Sequence, residues 1–144
     1  MIVYAKLLKS RRDIAMTDNE VFTKVVTHLW NQKVPSINKS GHCMYRGNNG
    51  ISCAIGCLIT DEEYNPKMEH RPVGRIVTEF ELPSLDGVNR SLLTQLQCLH
   101  DEVMTNHHSE DDGLNDLDTK NDFLQYVEEM KKDFNLDFDL KTLV

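Results

Sequence analysis

The chain has no apolar run that approaches the ~18–20 residues of a membrane-spanning helix. Its longest, CAIGCLI at residues 53–59, is a third of that length. It has no recognisable secretory signal either. The apolar residues come first (MIVYA) and the basic ones second (KLLKSRR), the reverse of an export sequence. The four cysteines are therefore expected to be reduced thiols in a cytoplasm. Gly47, Gly50 and Gly56 lack the Lys-Ser/Thr pair of a phosphate loop, and no dinucleotide fingerprint exists. Residues 108–119 place Gly113 where a calcium loop has its glycine. They begin with His108 and end with Thr119 in place of the glutamate, so calcium is excluded. Repeated short cysteine knuckles, internal repeats and low-complexity tracts are all missing. At 144 residues this leaves one domain with its own core.

Apolar residues make up 40% and charged residues 27%, a folded chain with a polar surface. The net charge of −7 is unevenly spread. Residues 1–50 hold 8 Lys/Arg against 3 Asp/Glu, whereas residues 101–144 hold 4 against 13. Acidic proteins repel nucleic acid and anionic membranes at long range, which argues against both as partners. The acidic C-terminal part reads as a solvated face.

Residues 1–15 read as a strand or a dispensable extension, since Met16 could itself start a chain. Residues 16–144 read as one globular domain. Thr17 and Glu20 have capping-box spacing, followed by Phe22, Val25, Val26, Leu29 and Trp30 at helical intervals. That helix should stop before Pro35. Asn49-Gly50 suits a two-residue hairpin turn, pairing Arg46 with Cys53 and Tyr45 with Ala54. A short buried helix is expected over residues 53–59, and another begins at Asn65-Pro66. Helices are predicted over residues 73–80, 89–105 and 119–133, with residues 106–116 an exposed acidic loop. The alternation of Phe134, Leu136, Phe138 and Leu140 with polar residues predicts a terminal strand, which could pair with residues 1–8. The expected fold is α+β and mainly helical: three principal helices around a central hairpin and a short buried helix.

Residues 41–69 hold three of the four cysteines and four of the seven glycines, so chemistry is sought there first. Cys53 and Cys57 share a helical face. With Cys43 and one of His42, His70 or His100 they could make a tetrahedral zinc site. Alternatively, Arg46 opposite Cys53 would lower the thiol pKa, and His100 would serve as base, with Cys53 or Cys57 as nucleophile. Neighbouring helical residues point about 100° apart, so Asp101 is not expected to orient His100; Asp61 is the better candidate. A third reading treats Tyr45, Arg46, Asp61, Tyr64, Glu69 and His100 as the polar lining of a ligand pocket, with Arg46 offering a bidentate fork to an anion. The bland alternative makes small buried cysteines ordinary core residues and His100 a structural partner of the central loop. His107-His108 is an exposed dipeptide able to scavenge metal.

The pattern Cys43-x-Tyr45-Arg46-Gly47-x-x-Gly50-x-x-Cys53-Ala54-Ile55-Gly56-Cys57-Leu58-Ile59, with Asp61, Tyr64, Met68 and Glu69 after it, resembles a family of small tailed-phage and bacterial proteins without an assigned activity. These also carry Leu-Gln-x-x-His-Asp, here residues 96–101. The resemblance spans residues 18–105, and His70 stands where a glycine is common. It implies a phage or prophage setting, and a host-cell cytoplasm. The function expected is that of a phage-encoded accessory protein acting by binding. It would inhibit a host protein or sequester a small ligand as an anti-defence factor. A Cys/His-dependent hydrolase or transferase and a structural zinc module are the alternatives.

Overall fold

Thr17 starts the first helix as its side chain dictates. Its hydroxyl accepts from the Glu20 amide at 3.1 Å, and the Glu20 carboxylate accepts from the Thr17 amide at 3.1 Å. The computed structural model describes residues 16–105 and 112–143. Among them are four α-helices: α1 (Asp18–Gln32), α2 (Val73–Glu79), α3 (Arg90–Cys98) and α4 (Leu117–Asp133). Short 3₁₀ turns punctuate the loops, and α3 runs on into a π-helical turn, Leu99–Val103.

The core follows the apolar periodicity. Val21, Phe22, Val25, Val26 and Leu29 of α1 meet Leu92, Leu93 and Leu96 of α3, and Phe123, Val127 and Met130 of α4, all buried. Such side chains contribute about 1.5–3 kcal/mol each when fully buried. Trp30 stacks obliquely on Phe123, with Lys33 4.2 Å and Lys120 5.3 Å from its ring. No described helix is long and apolar enough to cross a membrane.

The fold is all-α, which corrects the α+β expectation. No strand or sheet occurs among the described residues; only two isolated bridges do, Ile37↔Cys43 and Arg46↔Ser52. Asn49 and Gly50 both take positive φ, 60° and 76°, so the chain does reverse there. It does not continue as a hairpin, and Arg46 faces Ser52 instead of Cys53. The reason is that side chains claim the backbone groups a ladder would use. The Tyr45 and Arg46 amides donate to the two oxygens of Glu69, at 2.7 and 3.2 Å. The Ser52 amide donates to Gln32, whose own amide donates back to the Ser52 carbonyl.

The expected buried helix at residues 53–59 is a run of turns. Gly56 lies so close to Tyr45 that an added Cβ would stand 1.8 Å from its carbonyl oxygen. The Ile55 amide is bonded by Gln97 rather than by helix neighbours. The predicted terminal strand is also absent from the described residues. Both backbone groups of Asp137 bind the Asn19 side chain, at 2.6 and 2.9 Å, and Phe138 packs edge-on against Phe22. The tail thus lies on α1 and ends in a 3₁₀ turn, Leu140–Thr142. Its suggested pairing with residues 1–8 lies outside the described residues, as does the reading of residues 1–15.

Candidate functional site

The π turn after α3 determines the geometry of the polar centre. It closes with the Met104 amide on the Leu99 carbonyl, five residues back, at 3.2 Å. The wider winding brings neighbouring side chains closer in direction than an α-helix does. His100 Nδ1 and Asp101 Oδ1 are consequently 2.7 Å apart. Asp101 does orient His100, against the expectation from α-helical spacing. Asp61, the alternative, is 89% exposed and pairs with Arg46 at the surface.

His100 is completely buried. Its Nε2 accepts from the Ser36 amide at 2.8 Å, so the ring proton sits on Nδ1 and is donated to Asp101. The same Asp101 oxygen accepts from Gln97 Nε2 at 2.7 Å. Gln97 in turn accepts from the Ile55 amide at 3.2 Å and the Cys53 thiol at 3.4 Å. One relay thus ties two stretches of the irregular segment to one helix. It ends at Asp101, whose second oxygen carries no hydrogen bond among the described residues, and whose side chain is 35% exposed.

That carboxylate lines a cleft of about 530 Å³. One wall is the loop from His42 to Tyr45. A second is formed by His70, Arg71 and the start of α2, and a third by Thr94, Gln97, Cys98 and Glu102 of α3 and its extension. His42 and His70 stand edge to face on the rim, with ring centres 5.6 Å apart. One donor atom from each of Cys43, His100 and Asp101 lies within 4.8 Å of the other two.

Of the residues singled out in the sequence as a pocket lining, Tyr45, Arg46, Asp61, Tyr64 and Glu69 are joined to one another, whereas His100 bonds other partners, Ser36 and Asp101. Tyr45 lies on the cleft wall, its hydroxyl donating to the Arg71 carbonyl. Tyr64 donates to Glu69 at 2.7 Å, and burial together with that bond pushes its pKa up to about 12. Glu69 spends both oxygens on Tyr45, Arg46 and Tyr64, and so acts as a staple. Arg46 bonds Asp61 and the Ile59 carbonyl and lies 4.9 Å from the Tyr64 ring. Its fork is therefore committed.

The cysteines are dispersed, and none is in a disulfide. Cys53 points into the core, where burial drives its pKa far up. Arg46 has no part in that shift. Cys57 lines a separate hollow of about 420 Å³ beside His28, Arg46 and Asp61, and burial raises its pKa to about 12. Cys43 and Cys98 line the main cleft. A zinc site joining Cys43, Cys53 and Cys57 to His100 is thus not assembled.

Several residues that matter were not singled out from the sequence: Ser36, Cys98, Glu102 and Arg71. Gln97 was named only as part of the Leu-Gln-x-x-His-Asp pattern, without a role. Searches against protein-family models, curated proteins and solved structures find no match for this chain.

Proposed function

We propose that the protein acts by binding a small polar ligand in the cleft in front of Asp101. The state of that carboxylate carries the reading. One oxygen is gripped by His100 and Gln97, the other carries no hydrogen bond among the described residues, and the partly exposed side chain lines the cleft. A group fixed this way loses little freedom when it engages a ligand, which favours affinity. It suits a cationic or hydrogen-bond-donating partner. Cysteine catalysis is the weaker reading. His100 has both ring nitrogens engaged, and Cys53 and Cys57 have thiols whose pKa values burial has raised, Cys57's to about 12. Sequestration of a ligand, in a reducing host cytoplasm, is the accessory role suggested by the resemblance to tailed-phage proteins. The inhibitor and anti-defence roles rest on that resemblance alone.

A thermal-shift panel of primary amines, guanidines and divalent metal ions tests the reading. A ligand present at a hundred times its Kd adds about 2.7 kcal/mol, or roughly 5–10 °C in Tm for a chain of this size. At least one class should produce such a shift in the wild type and lose it in Asp101→Asn. A panel in which nothing moves the wild-type midpoint contradicts the proposal.

A further inference from the structure

The cleft has an unusual lining for so small a protein. Two of the four cysteines, Cys43 and Cys98, face it together with His42, His70, Asp101 and Glu102. All six are metal-donor types, and sulfur and imidazole are the preferred ligands of borderline-soft cations. Building on the binding reading above, we propose that the ligand is a thiophilic divalent cation, zinc in particular. It would be held by Cys43 Sγ and the second oxygen of Asp101, with His42 and His70 completing the coordination.

The distances suit this. Zinc sits about 2.3 Å from sulfur and about 2.0–2.2 Å from a carboxylate oxygen, so two such ligands of one ion are roughly 3.5 Å apart. Cys43 and Asp101 already offer donor atoms within 4.8 Å of each other, and binding would draw the two side chains together over the remaining distance. His42 adjoins Cys43 in the chain, and both imidazoles are exposed and line the same cleft as Cys43 and Asp101.

His100 is not a ligand in this scheme, although it belongs to the same cluster. Its Nε2 is occupied by the Ser36 amide and its Nδ1 proton is given to Asp101, so coordination would break one of these bonds. It serves instead as the outer support of the carboxylate, as hydrogen-bond donors behind metal-bound carboxylates commonly do. Gln97 is the second support. On binding, the Cys43 thiol loses its proton to solvent and the sulfur forms the metal bond. Uptake is therefore coupled to release of one proton and weakens as pH falls.

The test is calorimetric titration of the full chain with zinc, together with the absorption spectrum of the cobalt(II) form. The expected result is one ion per chain and a thiolate-to-cobalt charge-transfer band. Cys43→Ser should remove the band, and Cys43→Ser and Asp101→Asn should each weaken binding at least tenfold. His42→Ala and His70→Ala change exposed side chains and should keep the fold, so they decide the matter if the other variants do not fold. Together they should weaken zinc binding at least tenfold. Absence of zinc uptake overturns the inference. So does uptake that survives these substitutions and disappears in a His107→Ala/His108→Ala variant. A wild type that takes an organic amine in the thermal panel but no zinc overturns this inference while leaving the binding reading intact. A cleft that takes neither sinks both.

Discussion

The helical frame and the segment between α1 and α2 are held by different forces. The frame is a conventional apolar core: Leu29, Leu92, Leu93, Phe123 and Val127 are buried among one another, and their contribution scales with area removed from water. Residues 34–72 have few regular backbone bonds of their own. Turns and two bridges satisfy part of their backbone, and side chains meet much of the rest: Ser36 by His100, Tyr45 and Arg46 by Glu69, Ser52 by Gln32 and His28, Ile55 by Gln97. No buried side-chain nitrogen or oxygen among the described residues is left without a partner. Directional bonds fail one at a time and at particular atoms, whereas an apolar core tolerates conservative exchange. The cleft is built where the two regimes meet.

This contrast is easiest to break at Gly56. Gly56→Ala drives a methyl into the Tyr45 backbone, which cannot rotate away. The expected loss is about 3 kcal/mol or more in denaturant unfolding. Glu69→Gln comes next. It places an amide donor against backbone N–H donors and should cost about 2–3 kcal/mol, although the side chain keeps its shape. Leu93→Met, a volume-conserving exchange in the frame, should cost under ~1.5 kcal/mol. If the frame exchange cost more than the Glu69 exchange, the contrast would fail. Asn19→Ala should cost about 1 kcal/mol and speed amide exchange in the tail around Asp137 without disturbing the cleft.

The smallest effect is one of pH. His28 clasps the carbonyl and hydroxyl of Ser52, and burial, the largest cause, lowers its pKa from the ordinary 6.5. The unfolded chain therefore takes up this proton first. The His28 contribution is complete above about pH 6.5 and is lost as pH falls from there through the lowered folded value. Unfolding midpoints measured from pH 7.5 to 5 should decline, and His28→Gln should flatten that part of the curve.

The frame was legible because its signals are local. The Thr17–Glu20 box and the leucine spacing of α3 need only near neighbours, and a helix supplies them. The hairpin and the terminal strand misled for one shared reason. Strand-like patterns show which side chains face inward but not what bonds the backbone. Here Glu69, Gln32, Gln97 and Asn19 do so across long sequence separations, and nothing in the string says which backbone groups each will meet. The His100-Asp101 pair was visible, but its cooperation was not, because α-helical spacing separates the two and only the π turn brings them together. Arg46 and Asp61 looked like ligand groups because pairing between them is a matter of tertiary position.

Native-state amide exchange in Gln97→Ala, read residue by residue, tests the central claim that individual side chains hold residues 34–72. The Ile55 amide should lose most of its protection while those of Tyr45 and Ser52, bonded by Glu69 and Gln32, keep theirs. Unchanged protection at Ile55, or an equal loss at all three, would contradict the account.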